Sequence, residues 1–177
     1  MSETVVNSIR VLLIDDHRSV LWGLEKLIES QKPKMCVVGK FTSFAEASNE
    51  LEKLDPDIIL LDLDLGTEHG LDILPRLIGI TQAKILILTG SRDPALHDKA
   101  VIAGAKGILE KENSAETILT AIERVHAGQL WLDQARMGRI ILELSRKKSA
   151  EEKNENPEMQ DKGVKEEENK QGEENGS

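Results

Sequence analysis

Residues 56–70 read Pro-Asp-Ile-Ile-Leu-Leu-Asp-Leu-Asp-Leu-Gly-Thr-Glu-His-Gly. The apolar run Ile58–Leu61 is long enough for a strand buried on both faces and too short for a helix. An acid, Asp62, follows at once. A buried parallel strand that ends on a carboxylate delivers it to the C-terminal edge of its sheet, where open α/β sheets keep their chemistry. Asp62 is therefore the first candidate functional residue.

A second run of this kind lies upstream, where residues 10–16 read Arg-Val-Leu-Leu-Ile-Asp-Asp. Val20, Leu21, Leu24, Leu27 and Ile28 then recur at helical spacing, and 30–33 supply the stop. Residues 35–41 form a shorter, less apolar strand containing Gly39 and Lys40. Ser43 with Glu46 makes a capping box for a helix carrying Phe44, Ala47, Leu51 and Leu54. Downstream of Asp62, residues 63–69 read as a polar loop. Gly70 opens a helix bearing Leu71, Leu74, Leu77 and Ile78, and Pro75 within it predicts a late start or a kink. Residues 84–88 and 107–109 are further strands, ended by Thr89-Gly90 and by Glu110-Lys111. A weakly patterned helix lies between them, and Ser114 and Gly128 bound another.

Five strands alternating with helices call for a parallel sheet covered on both faces. The order 2-1-3-4-5 suits the pattern, because the first and third strands are the most apolar and the second the least. The switch point then falls between the two strands that end in carboxylates. The fold class is thus α/β, a flavodoxin-like three-layer sandwich. Residues 9–128 form the domain and 1–8 a disordered N-terminus. Residues 129–147 are a linker with an amphipathic helix from about 134, whose apolar face is covered by the domain body or by a second subunit. Residues 148–177 hold five Lys against ten Asp or Glu and few apolar groups. A segment of that composition is expected to be disordered.

Composition narrows the function. The formal net charge of −9 argues against a broad basic patch for nucleic acid. Two Trp, two Phe and no Tyr argue against a base-stacking platform. The single Cys36 excludes an intramolecular disulfide and a cysteine-rich zinc site, and reads as a small buried hydrophobe. No apolar run reaches membrane-span length and 1–10 lacks a signal-peptide core, so a cytoplasmic protein is expected. His17, His69, His97 and His126 show no metal-ligand spacing and read as surface or loop residues. Trp22 and Trp131 read as packing residues.

Five polar residues converge at one sheet edge: Asp15, Asp16, Asp62, Thr89 and Lys111. Crowded carboxylates are tolerable around a hard divalent cation such as Mg²⁺, which in turn recruits phosphate oxygens. Lys111 and the Thr89 hydroxyl suit further oxygens, and Asp62 is placed for nucleophilic attack on phosphorus. Asp62-Leu63-Asp64 also has the form of the acid pair used by dehalogenase-like phosphatases and some glycosyltransferases, but here it follows the third strand rather than the first.

On these motifs, together with Gly70 eight residues after Asp62 and Gly-Ile-Leu-Glu-Lys at 107–111, the chain resembles the receiver domain of two-component response regulators, the CheY-like fold. Asp-Asp-His at 15–17 and Ala-Gly-Gln-Leu-Trp-Leu-Asp at 127–133 resemble the NarL/FixJ (LuxR-type) subgroup. The resemblance implies a phosphorylation switch rather than an enzyme. Asp62 would be phosphorylated by a sensor histidine kinase, and Mg²⁺ held by Asp16, Asp62 and the backbone carbonyl of Asp64, with Asp15 acting through water. It also implies altered protein contacts, including possible homodimerisation, as in the regulatory part of a transcriptional regulator. A phosphorylation-independent binding module is the alternative. The subgroup's usual helix-turn-helix domain does not follow, so no nucleic acid contact is expected of this chain itself and DNA only through such a domain. Gly66 stands where the family commonly has Pro, predicting a looser loop. Ile108 stands where it commonly has Tyr or Phe, predicting that coupling from Thr89 to the surface of the fourth and fifth helices is either muted or carried by other groups.

Overall fold

The computed structural model describes residues 7–155, so the expectations for 1–6 and 156–177 lie outside the described residues. The elements are β1 (Ile9–Ile14), α1 (Arg18–Glu29), β2 (Met35–Phe41), α2 (Phe44–Leu54), β3 (Ile58–Leu61), β4 (Asp64–Leu65), β5 (Glu68–His69), α3 (Gly70–Ile80), β6 (Lys84–Thr89), α4 (Pro94–Ile102), β7 (Gly107–Glu110), α5 (Ala115–His126) and α6 (Gln134–Glu155). The main sheet is parallel with order β2-β1-β3-β6-β7. Leaving the β4–β5 pair out of the count, this is the expected 2-1-3-4-5 order.

Each central strand feeds two cores, which explains why its sequence is a run rather than an alternation. Ile59, Leu61, Ile85 and Ile87 pack with Phe44, Leu51, Leu74 and Leu77 from α2 and α3. Ile58, Leu60, Leu86 and Leu88 turn the other way, onto Leu24, Ile28, Ile122 and Val125 from α1 and α5. Burying each such side chain contributes about 1.5–3 kcal/mol. β2 lies at one edge and is mostly half-buried beyond Met35, and Cys36 on it is half-buried rather than enclosed.

The local punctuation behaves chemically as its residues require. The Ser43 side chain accepts from the Glu46 amide, and the Ser114 side chain from that of Thr117. Asp93 caps α4, with Pro94 in the first turn, where a missing N–H is harmless. Gly128 follows α5 with φ +96°, a conformation open to glycine.

Several expectations need correction. Residues 63–69 are not simply a polar loop, because β4 and β5 pair as an antiparallel hairpin around Gly66-Thr67. Gly66 has φ +75°, which suits the first central position of a tight hairpin turn, so glycine here organises the segment rather than loosening it. α3 runs unbroken from Gly70 with Pro75 inside, and the exposed proline ring faces away from the core. Trp22 is 63% exposed, whereas His97 is buried on α4. α6 continues to Glu155, past the limit at Lys147: residues 148–153 contain no helix breaker, and Ser149 Oγ bonds the Ser145 carbonyl.

Among the described residues, those up to Ile140 form one compact unit and those from Ile141 another. Within the first, Ile140 is buried and Met137 half-buried. In the second, the described residues 141–155 are helical, with Ile141, Leu142 and Leu144 exposed.

Gly70 holds the hairpin against the third strand, since a Cβ there would lie 2.6 Å from Leu63 Cα and 2.9 Å from the Asp62 carbonyl oxygen. Gly70→Ala should therefore cost about 1–3 kcal/mol, seen as a lower urea midpoint at unchanged slope. Gly79→Ala, with no atom within 4 Å of its new Cβ, should raise stability by about 0.5 kcal/mol. Equal effects at the two positions would refute the close-approach account.

Candidate functional site

Strand register brings the acids together. Ile14 of β1 lies opposite Leu61 of β3, so Asp15 and Asp62 leave adjacent strands at one level. The Asp62 amide donates to the Ile14 carbonyl at 3.0 Å and the Asp15 amide to that of Phe41 at 3.1 Å. Both carboxylates are buried, at 2% and 3% exposure. Thr89 ends β6, equally buried, and its carbonyl accepts from the Lys111 amide at 2.9 Å. Ladder hydrogen bonds thus fix where all four of these side chains begin.

Lys111 joins the acids. Its Nζ stands 2.8 Å from Asp62 Oδ2 and 2.9 Å from Asp15 Oδ2. The first contact is a directed hydrogen bond; the second is an ion pair off that geometry, so Asp15 Oδ2 has no directed partner. Asp16 Oδ1 is likewise buried without one. Asp62 Oδ1 accepts from the Asp64 amide at 3.1 Å, while the Asp64 side chain is exposed and accepts from the Gly66 amide at 3.2 Å. Gly90 leaves open room beside Lys111, its nearest neighbour to an added Cβ being Lys111 Cδ at 3.9 Å. The loops after β6 and β7 are tied across the site by an Arg92–Glu112 ion pair.

Asp15 and Asp62 therefore meet at Lys111, Asp16 lies beside them with an oxygen within 4.8 Å of theirs, and Thr89 joins them through the β6–β7 ladder. His17 was missed. Its Nδ1 lies 2.9 Å from both Asp15 Oδ1 and Asp16 Oδ1 and 3.4 Å from Lys111 Nζ. Together with Asp15, Asp16 and Asp62 it offers ligand atoms within 4.8 Å of one another, so the reading that no histidine has metal-ligand spacing is corrected. The signal was in the sequence: His17 directly follows the acid pair, and its own amide bonds Asp15 Oδ1 at 2.8 Å. Buried carboxylate oxygens lacking directed donors, with hard-donor chemistry, fit a divalent cation.

Residues 11–123 match the family model described as the response regulator receiver domain. The chain is 30% identical over 141 residues to the transcriptional regulatory protein LnrK of Bacillus subtilis, covering 79% of this chain and 64% of LnrK. It is 34% identical over 126 residues to the nitrate/nitrite response regulator protein NarL of Escherichia coli, covering 71% of this chain and 58% of NarL. It thus spans less than two thirds of the length of these relatives. Among solved structures, a LuxR-family two-component response regulator from Aurantimonas superposes with a TM-score of 0.68 at 30% identity, covering 78% of this chain and 99% of that one.

The site's electrostatics follow from its burial. Desolvation pushes the Asp62 carboxyl above the ordinary carboxylate range, the Asp15 charge adds to the push, and Lys111 with the Asp64 amide offsets it only in part. Desolvation acts to lower the Lys111 ammonium, but its contacts with Asp62 and Asp15 outweigh this and raise it. A carboxyl raised on folding favours the folded state while protonated. That contribution is whole below the unfolded value of about 3.9 and is lost as pH rises through the folded one. Above the unfolded value, burial of this carboxyl therefore opposes folding. Asp62→Asn should stabilise the protein by about 1 kcal/mol at pH 7, or about 2–4 °C in Tm, and the gain should vanish toward pH 3. A gain independent of pH in thermal melts would show that charge is not its cause.

Proposed function

This chain belongs to the response regulator receiver family, whose model it matches over most of its folded part, and on that footing we propose that it is a phosphorylation-controlled switch with Asp62 as phosphoacceptor. The observation that carries this reading is the pairing of a buried Asp62 with Lys111 at 2.8 Å, in a site with a second acid and a threonine hydroxyl at the neighbouring strand ends. In the proposed reaction a carboxylate oxygen of Asp62 attacks the phosphorus of a phosphohistidine on a sensor kinase. The P–N bond breaks, a P–O bond forms, and the electron pair leaves with the imidazole nitrogen. Lys111 and the Thr89 hydroxyl each neutralise or bond an equatorial oxygen, and Gly90 leaves the phosphoryl group its room.

The family implies Mg²⁺, and Asp15, Asp16 and Asp62 with the Asp64 carbonyl are the groups that would hold it. When bound, the ion supplies positive charge against the transferring phosphoryl oxygens. Receiver domains act as signalling modules, and we read residues 9–128 as that module with the segment after 128 as its output arm. The proposed consequence of phosphorylation is a changed contact with a partner protein or with a second copy of the chain. Among the described residues no helix is long and apolar enough to cross a membrane.

Intact mass after incubation with Mg²⁺ and acetyl phosphate tests the reading, with size-exclusion chromatography on the same samples. The wild type should gain one phosphoryl group, and Asp62→Asn none. A wild type that stays unmodified under conditions that phosphorylate a control receiver would sink the phosphoacceptor assignment. A modified Asp62→Asn would move it to another residue.

A further inference from the structure

The loop that leaves β6 follows Thr89 directly, and its first turn is held by a buried histidine. The Ser91 amide donates to Thr89 Oγ1 at 3.1 Å. The Ser91 carbonyl lies 2.8 Å from Nε2 of His97, whose residue is 1% exposed. A carbonyl only accepts, so Nε2 carries the proton and Nδ1 is left with a lone pair. Nδ1 in turn lies 3.2 Å from an Arg136 nitrogen, which only donates. The neutral Nε2–H tautomer alone satisfies both neighbours, and one buried ring thereby joins the loop behind Thr89 to the first turn of α6.

The α6 side of this bridge is well anchored. The Arg136 amide donates to Asp133 Oδ1 at 2.7 Å, and its side chain is 13% exposed. Asp98, the next residue on α4, is buried and takes Arg139 through both carboxylate oxygens, at 2.8 and 3.2 Å. Arg136 Nε stands a further 3.5 Å from Asp98 Oδ1. Ile108, by contrast, has no polar group with which to connect Thr89 to the surface.

We propose that His97 is a positioning residue that couples the loop behind Thr89 to the first turn of α6, so that phosphorylation at Asp62 loosens that turn. This rests on Asp62 being the phosphoacceptor. A Thr89 hydroxyl that turns toward a phosphoryl oxygen withdraws its oxygen from the Ser91 amide, and the loop shifts. The buried His97 N–H must follow its acceptor or be left unpaired, and in following it Nδ1 leaves Arg136. The coupling works in both directions: freeing Arg136 frees the Ser91 loop.

Amide hydrogen exchange on the full chain tests the coupling, with Mg²⁺ and beryllium fluoride as the phosphoryl analogue. In the wild type the analogue should speed exchange of the Met137 amide, which bonds the Asp133 carbonyl at 3.0 Å, by about tenfold, a coupling of ordinary size. Arg136→Ala should make that amide fast with or without the analogue. It should also speed the distant Ser91 amide by about tenfold with no analogue present. His97→Leu should do the same, and His97→Gln, which keeps a donor and an acceptor, should restore part of the protection. Unchanged Ser91 exchange in Arg136→Ala overturns the coupling, as does a Met137 amide indifferent to analogue seen bound by ¹⁹F NMR. Failure of the wild type to bind the analogue counts against the Asp62 assignment alone, because the Ser91 comparison needs no analogue.

Discussion

Two carboxylates are buried side by side because β1 and β3 are adjacent, parallel and in register, and this crowding governs the rest of the site. Unit charges about 4 Å apart repel by about 4 kcal/mol in surroundings of intermediate polarity. Asp15 and Asp62 are held near one another with a single lysine as their strongest counter-charge, and that lysine comes from the far side of β6. The sheet has to be rigid for this to persist. The two apolar layers supply the rigidity, with Leu12, Ile14, Ile59 and Leu61 on one side and Val11, Leu13, Ile58 and Leu60 on the other. What results is a pocket with too little positive charge, ready for a cation and for the oxygens that a cation brings.

What could be read from the sequence was what depends on long apolar runs and on residues fixed to strand ends. Ile58–Leu61 and the run before Asp15 are unambiguous because both faces of each strand are buried. Once the strand order follows, the meeting of Asp15, Asp62, Thr89 and Lys111 at one edge follows with it. The hairpin at 64–69 was invisible for the opposite reason: strands of two residues have no periodicity, and Gly66-Thr67 reads equally well as a loose loop. Leu65 is buried in it, but one apolar residue in a polar stretch carries no pattern.

The histidines show the same limit at the level of single side chains. His17 could have been placed, since it is adjacent to a strand-end acid pair. His97 could not, because α4 has almost no amphipathic pattern: it buries His97, Asp98 and Ala100 rather than a stripe of large hydrophobes. Its polar face is buried because Arg136 and Arg139 come to it from more than thirty residues downstream. Such pairing leaves no local signature, and burial of an acid and an imidazole is tolerable only with those partners present.

Trp131 ties these features together. Its amide donates to the Lys106 carbonyl at 2.9 Å and its carbonyl accepts from the Ile108 amide at 3.3 Å, so the linker adds a rung beside β7. Gly107 is required there, since a Cβ would stand 2.6 Å from Trp131 Cβ. The rung covers part of an edge strand that would otherwise offer free backbone groups for pairing. It also sets where α6 starts, with Asp133 two residues on accepting from the Arg136 amide. The linker is therefore registered twice, by backbone on β7 and by side chains on α4. Among these contacts, the His97–Arg136 one reaches the loop that follows Thr89, through the Ser91 carbonyl. A shift in that loop can thus alter the α6 contact on α4 while the β7 rung keeps the linker in place.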